Sequence, residues 1–376
     1  MKTIMLLLIV TIVTLGLIFR RSRLVTVLLA LLIWVLMGLN TNSPDFVNYY
    51  IRFHNIDYNS KIEWGYCFFN LFARLLKLDF QQFRMLYAAL FTAIAIGASY
   101  RLSEDPNFVL AMFVFWPFPA YISGLRIAMS AVIVCFGLPY LFSKGKHKYF
   151  KYILCVLIAG AFHVLAYFYL VFVFANIKYN RKQLTIIFFT ITILSVAIVL
   201  DVPKKFSCMF SRNSRISKWI TSNEIFGIRR MSFINFSVTI LPLCAIAITS
   251  SMMHYKLTNE SHEVEKQALL SDNLTTSLAY KNIFLLSLLS LPFYIITHEF
   301  SRLIYGVLMV YYAQIAQFSH FTKRPQNSIN KLLLSCYIAI IAMVSLYVYR
   351  ALGTHNIIET LTSNLATDQA TFQLFK

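Results

Sequence analysis

The sequence is poor in charge and poorer still in acid. Of its 376 residues 13% are charged, with 15 Asp or Glu against 34 Lys or Arg. A soluble chain of this length carries about 25% charged residues, so an ordinary soluble globular protein is excluded. Phosphate-cradling loops are missing too. No Walker A sequence, dinucleotide fingerprint, HExxH or GxSxG occurs, which disfavours ATP-driven or zinc-dependent chemistry. His262-Glu263 and His298-Glu299 lack a second histidine at the required spacing. Cys67, Cys135, Cys155, Cys208, Cys244 and Cys336 are scattered, mostly within apolar runs, with no CxxC. They read as small buried hydrophobes. No metal site and no cofactor is expected. Internal repeats, low-complexity tracts and a separate soluble domain are absent as well.

What the chain has in quantity is apolar sequence: 59% of residues, with a mean hydropathy of +0.66. The apolar runs are long and continuous, without the alternation of a β-barrel. Lipid leaves backbone groups no partners except within helices or closed barrels, so the fold class is all-α and the chain a polytopic membrane protein. The net charge of +19 is explained mostly by positive cytoplasmic loops and attraction to anionic lipid headgroups. No basic segment is interleaved with aromatics in a polar domain, so nucleic acid is not an expected partner.

Residues 4–19 form a retained first span ending at Arg20-Arg21-Ser22-Arg23, a cytoplasmic turn. Residues 24–39 cross back. Asn40-Thr41-Asn42-Ser43-Pro44 then breaks the helix. Residues 40–82 are expected outside, carrying a short amphipathic helix over 64–78 that is interfacial or re-entrant rather than spanning. That reading sends 83–100 inward and returns 107–122 outward. Arg126 then lies at the outer face, and 126–143 leads back to Lys144-Gly145-Lys146-His147-Lys148 inside. Residues 149–175 make about 40 Å of helix at 1.5 Å per residue, too long for one span, so a hairpin turning at His163 is expected. Residues 184–200 go out. The loop 201–231 is basic and external, and 232–251 return. The mixed-charge segment 252–281 is cytoplasmic, 282–297 and 303–320 form the next pair, 332–350 leave, and 351–376 form a polar tail. The expectation is one polytopic domain over 1–376 with about twelve spans plus the interfacial helix.

One stretch organises the rest: Trp116-Pro117-Phe118-Pro119 through Gly124-Leu125-Arg126 to Ser130. Arg126 opens a helix with no acid within four residues. An arginine at the bilayer centre costs roughly 3 kcal/mol on insertion scales, so it belongs at an interface, in a water-filled cavity or against an anion. The topology gathers Asp45, Tyr49, Glu63, His163, Glu299 and Arg302 on the same side. Guanidinium forks match diphosphate oxygens. A carboxylate or imidazole of near-neutral pKa takes a proton from a hydroxyl. Each residue also has a plain reading: Asp45 and Glu63 as solvated loop carboxylates, His163 as a core histidine, Arg302 as a helical partner of Glu299, Arg126 as a snorkelling cation.

The segments Ser43-Pro44-Asp45-Phe46-Val47-Asn48-Tyr49, Glu63-Trp64-Gly65-Tyr66, Gly124-Leu125-Arg126-Ile127-Ala128-Met129-Ser130 and Ile158-Ala159-Gly160-Ala161-Phe162-His163 together resemble the EpsG family of Wzy-type polysaccharide polymerases. The likeness covers roughly residues 40–175 and otherwise extends only to hydropathy. The sequence departs from the family at Asn40-Thr41-Asn42, where a Gly-Thr-Asp-type turn is common. The resemblance implies a GT-C-like membrane glycosyltransferase of the bacterial inner membrane. Such an enzyme joins undecaprenyl-diphosphate-linked repeat units for O-antigen, capsule or exopolysaccharide, the lipid-linked glycan being both donor and acceptor. It needs no nucleotide, and a chain-length regulator protein is an expected partner. His163, Glu63 or Asp45 would then be the base. Arg126 and Arg302, with Tyr49, Glu299, Arg229 and Arg230, would bind substrate. A lipid-linked oligosaccharide flippase and a membrane acyltransferase are the alternatives. The first would line a mid-membrane cavity with its charges, and the second would need a histidine beside an acid in a tunnel.

Overall fold

The computed structural model describes residues 2–41, 43, 45–55, 63–199, 246–256, 258, 267–294 and 302–321. These are helical, and no strand lies among them. The chain divides into two compact units, one of Met1–Val173 with Tyr305–Lys376, the other of Phe174–Ile304.

In the first unit α1 (Lys2–Ile18) and α2 (Arg23–Gly38) are followed by α3 (Phe46–His54), α4 (Trp64–Leu75) and α5 (Phe80–Leu102). Helix α5 opens with a reciprocal cap: the Asp79 carboxylate accepts from the Gln82 N–H at 2.8 Å, and the Gln82 side chain accepts from the Asp79 N–H at 3.0 Å. Helices α2 and α5 are antiparallel. Thr26 meets Tyr100 at one end, and Gln81 and Arg84 donate to the Gly38 and Met37 carbonyls at the other, at 2.6 and 3.0 Å. The chain therefore leaves α2 and enters α5 at the same end. Helix α4, 12 residues long, spans about 18 Å. It exposes Trp64, Phe68, Leu71, Phe72 and Leu75 and buries Gly65, Tyr66, Asn70 and Ala73. A large apolar face turned outward on so short a helix is the pattern of an interfacial element.

The return run is α6 (Pro106–Phe115) and α7 (Phe118–Ser123), then α8 (Leu125–Gly137) and α9 (Pro139–Phe142). The expected single span over 107–122 is thus broken, because Pro117 and Pro119 lack N–H groups to continue the ladder. The Arg101 guanidinium stacks on the Phe136 and Tyr140 rings at 4.4 and 4.0 Å. That places the approach to Lys144–Lys148 at the Leu102 end of α5. Arg20, Arg21, Arg101 and the lysine run thus share one end, and Arg126 lies toward the other. Helix α10 (Lys148–Phe162) and the 3₁₀ helix Val164–Asn176 follow. The chain does turn at His163: the Tyr152 hydroxyl donates to the Tyr169 carbonyl at 2.7 Å. Gly160 permits this closure, since a Cβ there would lie 2.4 Å from the Tyr167 ring.

The second unit contains α11 (Arg181–Val199), the helical residues 246–256 and α12 (Gln267–Ser287). After α12 come a 3₁₀ turn (Leu288–Ser290) and α13 (Leu291–Tyr294). The segment 252–281, expected as a cytoplasmic loop, is helical at its described ends. Ser277, Tyr280, Ile283 and Phe284 recur at helical spacing on a buried face of α12. Asn282 donates to the Ala175 and Ile177 carbonyls at 2.7 and 2.8 Å. Helices α14 (Arg302–Tyr305) and α15 (Leu308–Phe321) replace the single span expected over 303–320.

Among the described residues two helical stretches, Phe80–Leu102 and Leu125–Phe142, are long and apolar enough to cross a membrane, and shorter apolar helices include Arg23–Gly38, Pro106–Phe115 and Val164–Asn176. The chain is an all-helical membrane protein. The expected external loop over 201–231, the span over 232–251 up to residue 245, the span over 332–350 and the tail over 351–376 lie outside the described residues.

Candidate functional site

The site is built by α3, α4, α8 and the turn after α10, all in the first unit. Arg126 stands in the first turn of α8, beyond the break made by Pro117 and Pro119. Gly124 caps that helix with a φ of −104°. The turn therefore does not call on glycine's left-handed region. Arg126 has the anion it needs. The Glu63 carboxylate, 63 residues earlier in the chain, pairs with its Nη1. The two side chains are 21% and 20% exposed, so the pair is open to solvent but mostly enclosed. The Tyr49 phenol lies beside the Arg126 guanidinium.

Glu63 reaches this position because it is the N-cap of α4, and α4 lies against the end of α10. A Cβ at Gly65 would lie 2.8 Å from the Ala161 carbonyl oxygen. Only a glycine allows that approach. Phe162 packs on Phe69 and Tyr87, both at 6.3 Å between ring centroids. His163, the next residue, is half-buried and close enough for its charge to act on Glu63. Its Nδ1 accepts from the Leu165 N–H at 3.3 Å. Burial by itself pushes the Glu63 carboxyl up, but the Arg126 guanidinium, with help from the residue's own backbone and from His163, holds it below the ordinary range.

Behind the ion pair lies a buried polar group. Tyr66 and Asn70, one turn apart on α4, are both 0% exposed. The Tyr66 hydroxyl and both polar atoms of the Asn70 side chain lack a well-formed hydrogen bond, as does the Arg126 Nε. The Tyr49 ring lies 5.6 Å from that of Tyr66. Burial, with the Tyr49 phenol beside it, pushes the Tyr66 phenol up, so it stays protonated and available as a donor. Arg84 of α5 is 2% exposed. It is held by the Met37 carbonyl and by the Phe46 ring at 4.9 Å. The negative end of α2 compensates its charge.

Of the residues expected in the site, Glu63, Arg126, Tyr49 and His163 come together. Asp45 precedes α3 and takes a 3.4 Å hydrogen bond from Asn48. Arg302 opens α14 in the second unit. Glu299, Arg229 and Arg230 lie outside the described residues. Tyr66 has a role beyond its place in the motif, and Asn70 and Arg84 were not anticipated at all. Asn70 had a signal: a polar residue four positions after Tyr66 in an otherwise apolar stretch. No group of three or more metal-binding side chains lies among the described residues.

One family model matches the chain, that of the EpsG family, over residues 23–359. No curated protein and no solved structure matches it.

Proposed function

The chain belongs to the EpsG family of membrane proteins of polysaccharide biosynthesis, and from that premise we propose that it polymerises undecaprenyl-diphosphate-linked repeat units at the outer face of the bacterial inner membrane. The observation that carries this reading is the mostly enclosed cluster of Arg126, Glu63, Tyr49 and His163, on the end of the first unit opposite its basic turns. By the positive-inside rule that end faces away from the cytoplasm.

The acceptor hydroxyl oxygen attacks the anomeric carbon of the donor glycan. A new glycosidic C–O bond forms, and the bond to the diphosphate breaks with its electron pair leaving on the phosphate oxygen. Arg126 stabilises that charge, aided by the N-terminus of α8, whose free N–H groups favour an anion. His163 takes the hydroxyl proton. Glu63, with its carboxyl held low by Arg126, is a poorer base at neutral pH. Asp45, bonded to Asn48, is a weaker candidate than His163. Arg302, Glu299, Arg229 and Arg230 remain proposed contacts to the glycan-lipid, and a chain-length regulator a proposed partner.

The test is polymerisation of purified lipid-linked repeat units by the reconstituted protein, with transbilayer movement of the same lipid measured in parallel. Chains longer than one repeat are expected. Lipid movement without chain growth would replace this reading with the flippase.

A further inference from the structure

Resting on that reading, we infer that the diphosphate binds Arg126 by evicting Glu63, and that the carboxylate so released turns to His163. A guanidinium grips a phosphate through two neighbouring nitrogens, either Nη1 with Nη2 or Nε with Nη2. In Arg126 the Nε is buried away from solvent. The solvent-facing fork is therefore Nη1 with Nη2, and Nη1 is held by Glu63. A bidentate anion on that fork competes with the carboxylate for Nη1, and two anions crowded on one guanidinium repel each other.

The pair is also placed to exchange. Both side chains keep about one-fifth of their surface exposed, so an incoming anion reaches them. Glu63 is the N-cap of α4, at the helix's edge, where its side chain can rotate without moving the helix. His163 is the titratable side chain already close enough to act on Glu63. Donor binding thus converts an Arg126–Glu63 pair into an Arg126–diphosphate pair and a Glu63–His163 pair. A carboxylate beside an imidazole favours the protonated ring, which is the form His163 takes after accepting the acceptor's proton. Binding of the donor would prepare the base for the acceptor.

The experiment is equilibrium binding of inorganic pyrophosphate to the purified full-length protein in detergent, with thermal unfolding as a check on folding. Removing the internal competitor through Glu63→Gln should tighten binding by up to about fivefold, the worth of one partly exposed ion pair. Glu63→Asp, with a shorter arm, should tighten it less. Arg126→Ala should abolish it. If Arg126→Ala loses binding but both Glu63 variants, folded, bind no tighter than the wild type, the exchange is wrong and the polymerase reading stands. If Arg126→Ala binds as the wild type does, the anion site itself fails, and the exchange with it.

Discussion

Two ion clusters occupy opposite ends of the first unit, and they are completed differently. At the basic end Asp105, 1% exposed, takes Arg20 at 3.4 Å and Arg21 at 2.9 Å. Arg20 also donates to Ser319 at 2.6 Å. Asn107 gives both amide protons to the Phe19 and Ser22 carbonyls and accepts from Thr26. Each of these side chains has protein partners, and the turn after α1 is locked to the start of α6 and to α15. At the Arg126 end one ion pair is formed, while Arg126 Nε, the Tyr66 hydroxyl and the Asn70 amide are buried without good partners. Buried polar groups left unsatisfied are costly. A fold keeps them where something else, water or substrate, completes them. The saturated cluster holds helices together, and the incomplete one is equipped to bind.

The contrast is tested most severely by Arg126→Ala. Turnover in the polymerisation assay should fall roughly a thousandfold, with expression retained and the unfolding temperature lowered only by the loss of the Glu63 pair. Arg126→Lys should recover little, because an ammonium keeps the charge without the fork. Full turnover with Lys would show that the fork is irrelevant.

Next in size, His163→Ala should leave a folded protein that yields only single-repeat products, a loss of roughly a hundredfold or more. Wild-type chain lengths would return His163 to a purely structural place at the turn.

Asp105→Ala should do the reverse. It strands two arginines at the basic end and should destabilise the fold by about 2 kcal/mol. That is seen as a lower unfolding temperature and less inserted protein, with substrate affinity per folded molecule unchanged. An affinity change in the folded fraction would break the division between the two ends.

The smallest effect is on pH dependence. Arg126 holds the Glu63 carboxyl below its unfolded value, so the ion pair stabilises the fold above that unfolded value. The contribution is lost as pH falls through the lowered folded value. With both partners partly exposed it amounts to no more than about 1 kcal/mol. Unfolding temperatures of the wild type and Glu63→Gln should therefore differ near neutral pH and converge in acid. A gap that widens in acid would mean that the pairing is not what sets the Glu63 titration.

The sequence by itself determined that the protein is an all-helical membrane protein, because continuous apolar runs leave the backbone no other way to satisfy itself in lipid. It pointed to a short amphipathic helix within 64–78, where Arg74 and Lys77 interrupt the apolar face, and the helix found there is Trp64–Leu75. Length likewise argued for the turn at His163. The break at Trp116-Pro117-Phe118-Pro119 was legible as two prolines, though its consequence for the span over 107–122 was not drawn. Only the tertiary structure decided what Arg126 faces. No acid lies near it in the chain, so local reading left a cation in search of an anion. The anion is Glu63, carried there by the packing of α4 on α10 through Gly65 and Ala161. Pairing between residues 63 apart depends on which helix ends meet, and hydropathy does not encode that. The buried Tyr66 and Asn70 were hidden for the same reason. Whether a polar side chain in an apolar helix faces lipid, water or a closed interior is set by its neighbours in space.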